Sequence, residues 1–259
     1  MEYRALTTAA RDNLRATYTG LALCLPNARL EHDRWPTVCV GPGLPTFANF
    51  AMEFDEPHHW DAVEDVIQRC AIRTDRFWVF HCDADQDKQL RTRMMRRGFL
   101  YRHRLAMLAW EGPRPESSAT LRSATNRDET AQFMVSQFFR ASATEMKAAI
   151  VASTVHSGHN LWYVGAGGVP VGAVMTVATP GVIGLYNLCV DSAHRRLGTG
   201  SAIVRAVQAV AAAENRIVAL QCDESLVGWY ERLGFTRLGE VETWSGIATA
   251  PSSGDPRLA

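Results

Sequence analysis

A strand, a polar loop and a helix that opens on glycine follow one another between residues 182 and 213, and this succession constrains the fold more than any other part of the chain. The apolar run from Val182 to Val190 is typical of a buried strand. A polar segment from Asp191 to Leu197 follows, and the apolar spacing from Ser201 to Val210 predicts a helix. The chain is therefore expected to turn from strand into helix through a glycine-containing loop.

The loop between this strand and this helix has the pattern R-x-x-G-x-G, with Arg195 first, Arg196 beside it and glycines at positions 198 and 200. Glycine lets a ligand approach the backbone closely, and the first N–H groups of a helix have no intrahelical partner. The helix dipole and the two arginines favour negative charge at the same turn. The loop predicts an anion site, although an ordinary helix start explains the hexamer alone equally well.

Two common phosphate-binding loops do not fit this pattern. A Walker loop requires Gly-Lys-Ser/Thr, whereas Gly200 is followed by Ser201 and Ala202. A dinucleotide-binding fingerprint begins directly after its strand and places a third glycine where this chain has Ile203. Neither of these nucleotide-binding classes is predicted.

A second motif, W-Y-E-R-L-G-F, occupies residues 229–235 and follows an apolar strand pattern at residues 216–222. The order of the two motifs, with a long helix and a strand between them, resembles the GNAT acyltransferase superfamily. Its members move an acyl group, usually acetyl, from coenzyme A to an amine. The resemblance covers roughly residues 119–246, and its motifs identify the superfamily without indicating a substrate.

The resemblance implies roles for individual residues of this chain. Tyr230 matches the tyrosine that in many members hydrogen-bonds or protonates the departing thiolate. The pyrophosphate loop, and the strand end whose backbone pairs with the pantetheine arm, imply the following cofactor-binding residues: Leu188, Cys189, Val190, Arg195, Arg196, Gly198, Thr199, Gly200 and Ser201. Asp223 is a further expected contact, although the family often has Asn or Ser at this point, where the chain has Asp-Glu-Ser.

The activity that the resemblance implies is direct attack on acetyl-coenzyme A, the co-substrate, by an amine of a small molecule or peptide. The amine must lose a proton, yet the first strand has no carboxylate, and Tyr186 and Asn187 stand where some members have one. Glu240, Glu242 and Asp223 are alternative bases, and a water chain is another. The missing carboxylate also leaves open a non-catalytic module that binds coenzyme A to regulate or hold a partner.

We expect an α/β fold with a mixed, mainly antiparallel sheet flanked by helices, arranged as two tandem GNAT-like domains. Residues 1–112 are predicted to be a degenerate N-terminal GNAT-like domain, residues 119–247 the catalytic domain, and residues 248–259 a disordered tail. The segment M-M-R-R-G-F at 94–99 echoes Y-E-R-L-G-F at 230–235, but no R-x-x-G-x-G precedes residue 113. A glycine helix cap followed by a strand explains this echo as well as a duplication does.

The balance of charge gives no support to a polyanionic partner. The 259 residues include 27 basic and 27 acidic side chains, so the net charge is zero, and no basic run indicates nucleic acid. No apolar segment approaches the length of a membrane span. We therefore expect a small-molecule or peptide partner and neither nucleic acid nor membrane, while the oligomeric state is not indicated.

The cysteines and histidines indicate neither a disulfide framework nor a metal centre. The six cysteines are isolated and form no C-x-x-C, which is typical of reduced thiols, and we expect a cytoplasmic protein. Cys189 and Cys222 fall at the ends of two strands, which leaves a catalytic thiol open. His156 and His159 form H-x-x-H without a nearby third ligand, so no metal site is predicted.

Overall fold

The computed structural model describes residues 3–32, 37–41, 44–52, 78–82, 88–96, 98–116, 120–166 and 169–245. The predicted tail, residues 248–259, lies outside these ranges. The helices of the described residues are α1 (Tyr3–Ala22), α2 (Lys88–Arg96), α3 (Arg127–Phe138), α4 (Thr144–His156), α5 (Thr199–Ala213) and α6 (Glu224–Glu231), with 3-10 turns at Thr46–Ala48 and Ser192–His194. None of these helices is long and apolar enough to cross a bilayer.

The strands alternate with the helices along the described part of the chain. They are β1 (Arg29–His32), β2 (Thr37–Val40), β3 (Phe50–Met52), β4 (Trp78–Cys82), β5 (Leu100–Trp110), β6 (Arg122–Ser123), β7 (Asn160–Ala166), β8 (Val169–Thr179), β9 (Val182–Val190), β10 (Ile217–Cys222) and β11 (Thr236–Ser245). Most described pairings are antiparallel, and only β3–β4 and β9–β10 among them are parallel. The expected α/β fold with a mainly antiparallel sheet is confirmed.

The structure separates into two compact units, each drawn from distant parts of the sequence. The major unit comprises the described residues of the ranges 1–26 and 105–239. The minor unit comprises those of the ranges 27–104 and 240–259. The division falls within β5 and within β11, so each of these strands has residues in both units.

In the major unit the strand order is β5-β10-β9-β8-β7-β6, with helices on both faces. On one face, α5 contributes Ile203, Val204 and Val207 to a buried cluster with Val218 and Leu220 of β10. On the other face, α3 places Met134 in a cluster with residues of β7 and β8. Burial of these apolar faces on both sides explains why β8 and β9 are almost continuously hydrophobic.

The minor unit repeats the pairing scheme of the major unit. Its strand order is β1-β2-β3-β4-β11, and the successive pairs are antiparallel, antiparallel, parallel and antiparallel. The run β7-β8-β9-β10-β5 of the major unit has the same succession. The strand that follows each glycine motif pairs with a strand from the other half of the chain. β5 follows Gly98 and pairs with β10, whereas β11 follows Gly234 and pairs with β4.

The two glycine motifs have the same local geometry. Gly98 and Gly234 adopt φ angles of 83° and 86°, which favour glycine. The N–H of the residue after each glycine donates to a carbonyl five residues back, that of Met94 at 3.0 Å and that of Tyr230 at 3.2 Å. Both are therefore helix ends closed by a left-handed glycine, after which the chain continues as a strand.

Helix α1 packs in the major unit, although it lies within residues 1–112, which are predicted to form the N-terminal domain. Its side chains Ala10, Asn13 and Leu14 are buried, and the helix contacts β8, β9 and β10. Tyr3 at its start donates a hydrogen bond to the carbonyl of Leu238. The two compact units therefore do not correspond to the two halves of the sequence, because α1 packs on the sheet of the major unit and β5 pairs with its strand β10. The domain boundaries at residues 112 and 119 stay a prediction, since a duplicated half and a compact unit need not coincide.

Candidate active site

Strands β9 and β10 separate within the major unit. Their parallel pairing joins Val182–Gly184 to Ile217–Ala219 and is not continued in the described part of the chain. Beyond that point β9 remains paired with β8 as far as Val190, and β10 remains paired with β5 as far as Cys222. Each strand therefore turns one backbone edge toward the other across what we call the β9–β10 gap. Such an edge can accept an extended ligand by strand addition.

A β-bulge interrupts β9 beside this gap. The pairing of β9 with β8 is irregular between Tyr186 and Cys189. Asn187 has a φ of 50°, a left-handed conformation that asparagine tolerates better than most residues. Because of the extra residue, Leu188 and Val190 pack against the α5 cluster, whereas Tyr186 and Cys189 belong to the opposite face. Sequence reasoning missed this bulge, and an asparagine within an apolar strand was the available signal.

The glycine loop leads into α5 through two left-handed residues. Arg196 has a φ of 63° and Gly198 has a φ of 83°, directly before the helix begins. The first bond of the helix joins the N–H of Ala202 to the carbonyl of Gly198 at 2.9 Å. The N–H groups of positions 199–201 precede that bond at the positive end of a 15-residue helix. This is the geometry that binds phosphate at a helix N-terminus.

Gly200 lies where three elements converge. A Cβ atom at this position would lie 3.6 Å from Cζ2 of Trp229 in α6 and 3.8 Å from Cγ2 of Val190 in β9. A methyl group would fill this space, and a longer side chain would meet the indole or the valine. The second glycine of the motif therefore brings the start of α5 close to the end of β9.

The two loop arginines have different surroundings. Arg195 donates through Nε to the carbonyl of Val190 at 3.0 Å and through Nη2 to Oε1 of Gln137 at 3.2 Å. Its guanidinium therefore ties the loop to β9 and to α3. The exposed guanidinium of Arg196 makes no hydrogen bond or ion pair with any described residue. Arg196 is the better placed of the two to meet a ligand anion.

Tyr230 is buried in the cluster that α5 forms with β10, and its hydroxyl is not bonded to any described residue. Its exposed fraction is 5%, and its ring makes edge contacts with Trp229 at 4.6 Å and Phe235 at 5.4 Å between ring centroids. Leu188 and Val190 pack against the same cluster. Burial, and then the nearby Cys222, raise the pKa of the Tyr230 phenol well above its ordinary value of 10.0. The phenol is therefore neutral at physiological pH and able to donate a proton or hydrogen bond.

The two strand-end cysteines do not have the surroundings of a nucleophile. Burial raises the pKa of Cys222 to about 11, with further contributions from the charges of Glu224 and Asp223. Burial raises the pKa of Cys189 to about 12, and its thiol donates to the carbonyl of Ala173 at 3.8 Å. Because the reactive species is the thiolate, neither side chain is activated for attack near neutral pH.

The three carboxylates considered as bases all have other partners. Asp223 caps α6 by accepting the N–H two residues further on at 2.9 Å. Glu240 forms an ion pair with Arg104 at 2.9 Å, and Glu242 forms one with Arg91 at 2.6 Å, all within the minor unit. In addition, the described residues contain no group of three His, Cys, Asp or Glu side chains that could hold a metal ion.

The structure brings most of the predicted site residues to one place and separates two of them. Those that lie around the start of α5 and the β9–β10 gap are Leu188, Val190, Arg195, Arg196, Gly198, Thr199, Gly200, Ser201 and Tyr230. Cys189 faces the opposite side of the sheet, so only its backbone can take part, and Asp223 acts as a helix cap. The roles of all these residues stay predictions.

Comparisons with known proteins bear on the domain and the fold. A family model described as an acetyltransferase (GNAT) domain matches residues 157–237, which include β9, the glycine loop and Tyr230. No curated protein matches the chain. Among solved structures, a GCN5-related N-acetyltransferase from Kribbella flavida is similar with a TM-score of 0.67 and 18% identity, over 93% of this chain and 96% of that one.

Two further solved structures are similar over most of the chain. A functionally unknown conserved protein from Staphylococcus epidermidis ATCC 12228 has a TM-score of 0.62 and 16% identity, over 86% of this chain and 95% of that one. A tandem GNAT protein from the clavulanic acid biosynthesis pathway has a TM-score of 0.53 and 14% identity, over 84% and 79%. At these identities the likeness shows the fold. Residues 157–237 therefore match the GNAT acetyltransferase domain, and the chain has the GNAT fold.

Proposed function

We propose that the major unit transfers acetyl from acetyl-coenzyme A to an amine of a small molecule or peptide by direct attack. The observation that carries this proposal is the β9–β10 gap, which opens beside the N-terminus of α5, with Tyr230 in the cluster against which Leu188 and Val190 pack. Acetyl-coenzyme A fits both features of this site. Its diphosphate can bind to the N–H groups at the start of α5, and its extended thioester arm can pair with a strand edge of the gap.

Each part of the co-substrate has a proposed partner in this chain. The N–H groups of positions 199–201 and the guanidinium of Arg196 would hold the phosphates. The backbone of Leu188 to Val190 would hydrogen-bond the pantetheine arm, since the bulge turns this strand end toward α5. Arg195 would act indirectly, by keeping the loop against Val190.

The chemistry requires little beyond orientation and charge stabilisation. The amine nitrogen forms a bond to the acetyl carbonyl carbon, and the bond from that carbon to sulfur breaks. A backbone N–H near Val190 would polarise the carbonyl oxygen, and Tyr230 would donate a proton or hydrogen bond to the departing thiolate. The ammonium proton must leave before attack, and because Asp223, Glu240 and Glu242 are engaged elsewhere, we assign that step to water.

We also propose that the first half of the chain is a degenerate GNAT-like copy of the second. The shared succession of strand pairings and the matching geometry of Gly98 and Gly234 support this. A cytoplasmic location is part of the proposal, supported by the free thiols of the described cysteines at positions 24, 39, 189 and 222.

The proposal is tested by a panel of amines, including polyamines, arylamines, amino acids and peptides, assayed for release of free thiol from acetyl-coenzyme A. We expect thiol release that depends on one class of amine and exceeds hydrolysis without amine. Binding of coenzyme A by calorimetry with no amine-dependent thiol release would instead identify a non-catalytic coenzyme A-binding module. Absence of binding would reject both functions.

The different surroundings of the two loop arginines predict different effects of their removal. Arg196→Ala should weaken coenzyme A binding by about three- to thirtyfold, and the effect should shrink as salt is raised, because a solvent-exposed charge pair is lost. Arg195→Ala should also weaken binding. A larger share of its affinity loss than for Arg196→Ala should persist at high salt, because the loop loses its bonds to Val190 and Gln137. Calorimetry at low and high ionic strength measures both.

The matched control for this comparison is Gln137→Leu, which removes one anchor of Arg195 and keeps both charges. We expect it to lower affinity slightly with an unchanged salt dependence. Identical salt dependence for Arg195→Ala and Arg196→Ala would contradict the separate roles.

A further inference from the structure

Two arginines meet on one amide oxygen at the end of α3. Arg140 donates through Nη2 to Oε1 of Gln137 at 3.3 Å, and Arg195 donates through Nη2 to the same oxygen at 3.2 Å. Arg140 also donates through Nε to the carbonyl of Ser136 at 3.0 Å. Two like charges repel at this separation, and the amide oxygen that holds them is neutral. The contact therefore brings two positive charges together without compensating them.

A third cation lies beside this pair. Lys147, near the start of α4, donates through Nζ to the carbonyl of Arg140 at 2.8 Å. We call Arg140, Lys147 and Arg195 the α3 cationic cluster. Arg140 and Arg195 are exposed, and Lys147 is partly exposed. A ligand can therefore reach the cluster from solvent without any change of structure.

The α3 cationic cluster has no acidic partner in the part of the chain that the structure describes. None of its three side chains forms an ion pair with a carboxylate there. The acidic residues nearest to it in sequence are Glu145 and Asp191. Glu145 stands two positions before Lys147 on α4, so the two do not face each other, and Asp191 accepts the N–H of Ala193 at 2.9 Å and lies 3.4 Å from Nδ1 of His194. The cluster thus keeps a positive potential that an anion can neutralise.

The cluster lies on the sheet face opposite α5. Helix α3 packs on that face through Met134, one turn before Gln137, whereas α5 packs on the other. In the proposed function the diphosphate binds at the start of α5 and the thioester arm occupies the β9–β10 gap, so the amine must approach the acetyl carbon from the α3 side. Arg195 reaches this point, because its Nε donates to the carbonyl of Val190 at the end of β9.

We propose that the α3 cationic cluster binds an anionic group of the acceptor, so that the acceptor is an amine that also carries a carboxylate, as an amino acid or a short peptide does. The inference deepens the proposed function and rests on it. A guanidinium can donate two parallel hydrogen bonds to a carboxylate. Arg140 keeps Nη1 for such a contact, since only its Nε and Nη2 bond to described residues. The same charges repel a polyamine, so the cluster excludes one class of amine and attracts another.

The first test compares wild-type kcat/KM for each amino acid of the panel with that for its own carboxamide and with those for polyamines. The carboxamide keeps the amine and removes the anion. We expect values about ten- to a hundredfold higher for the carboxylate, as for one hydrogen bond between charged groups, and the lowest values for polyamines. Because the amine of the carboxamide loses its proton more readily, amine reactivity alone would give the opposite order. Equal values for acid and amide, or a preference for polyamines, would overturn the inference.

The second test assigns the preference to the cluster. Arg140→Gln should lower kcat/KM for the amino acid by about ten- to a hundredfold and leave that for the carboxamide, and KM for acetyl-coenzyme A, nearly unchanged. Arg140→Glu should shift the preference toward polyamines. Arg205→Gln is the matched control, because it removes an exposed arginine from α5, on the other face of the sheet, and should leave the preference unchanged. Thermal melts of the variants separate loss of contact from loss of fold.

Two outcomes with Arg140→Gln would contradict the inference. One is an equal loss for acid and amide. The other is a rise in KM for acetyl-coenzyme A that is absent with acetyl-dephospho-coenzyme A, because the cluster would then bind the 3′-phosphate of the co-substrate. Wild-type protein without amine-dependent turnover would reject the proposed function itself, whereas turnover that ignores the charge of the acceptor would reject this inference alone.

Discussion

A fragment of residues 113–259 is expected not to fold, although it contains the glycine loop, Tyr230 and the whole matched domain model. The fragment lacks β5, which is the antiparallel partner of β10 from Val218 to Cys222. It also lacks α1, which covers part of β8 and β9. The remaining sheet would expose the backbone edge of β10 and an apolar face at once.

The buried side chains that the fragment loses are large enough to decide the outcome. From β5 these include Met107, Leu108 and Trp110, and from α1 they include Leu14, all of them buried. At about 1.5–3 kcal/mol each, their burial contributes about 6–12 kcal/mol, while the stability of a whole domain is only roughly 5–15 kcal/mol. The loss is therefore comparable to the entire free energy of unfolding.

Circular dichroism and thermal melting of the purified fragment measure this prediction. We expect no cooperative unfolding transition and aggregation through the open strand edge. The control is coexpression of residues 1–112 with residues 113–259, which restores α1 and β5 without a covalent link and should recover a soluble complex. A fragment 113–259 that melts cooperatively and binds coenzyme A would contradict the assignment of α1 and β5 to the major unit.

The sequence predicts those parts of the fold whose signals are local. The apolar run from Val182 to Val190 becomes β9. The glycine loop also lies where its pattern indicates, because left-handed φ and helix initiation are properties of a few consecutive residues.

The sequence does not predict features that depend on which distant segments meet. β5 pairs with β10, and β11 pairs with β4. The two strands β5 and β11 have similar apolar patterns, so the opposite assignment would satisfy those patterns equally well. The apolar face of α1 indicates that this helix packs against another element, but it does not indicate which sheet that is. The hydrogen-bond partner of Asn13 is likewise invisible in sequence, since Tyr186 lies 173 residues away.

Tyr230→Phe is expected to lower kcat by roughly ten- to a thousandfold with little change in coenzyme A affinity, which is the range for removal of one general acid or hydrogen-bond donor. The substitution keeps the ring contacts with Trp229 and Phe235, and the hydroxyl it removes has no bonding partner among the described residues. The melting temperature should therefore remain close to that of wild type. The loss of turnover would then come from the chemical step alone.

The pH dependence sharpens this test. Because burial raises the pKa of Tyr230 above its ordinary value of 10.0, the phenol stays protonated throughout the range in which an amine gains activity by losing its proton. The ratio of wild-type to Tyr230→Phe turnover should accordingly stay constant from neutral pH to about pH 9, below the ordinary phenol pKa. A ratio that falls toward one over this interval would mean that the donated proton comes from another group.

The acyl donor offers a second, independent readout of the same hydroxyl. A thioester whose thiol is more acidic needs less help to leave, so the effect of Tyr230→Phe should be smaller with such a donor than with acetyl-coenzyme A. Single-turnover measurements establish that the chemical step limits the rate in both cases. Turnover within about twofold of wild type under these conditions would mean that Tyr230 only packs beside Trp229 and Phe235. The proton for the thiolate would then have to come from water or from the neutral thiol of Cys222, because burial raises the pKa of that thiol to about 11.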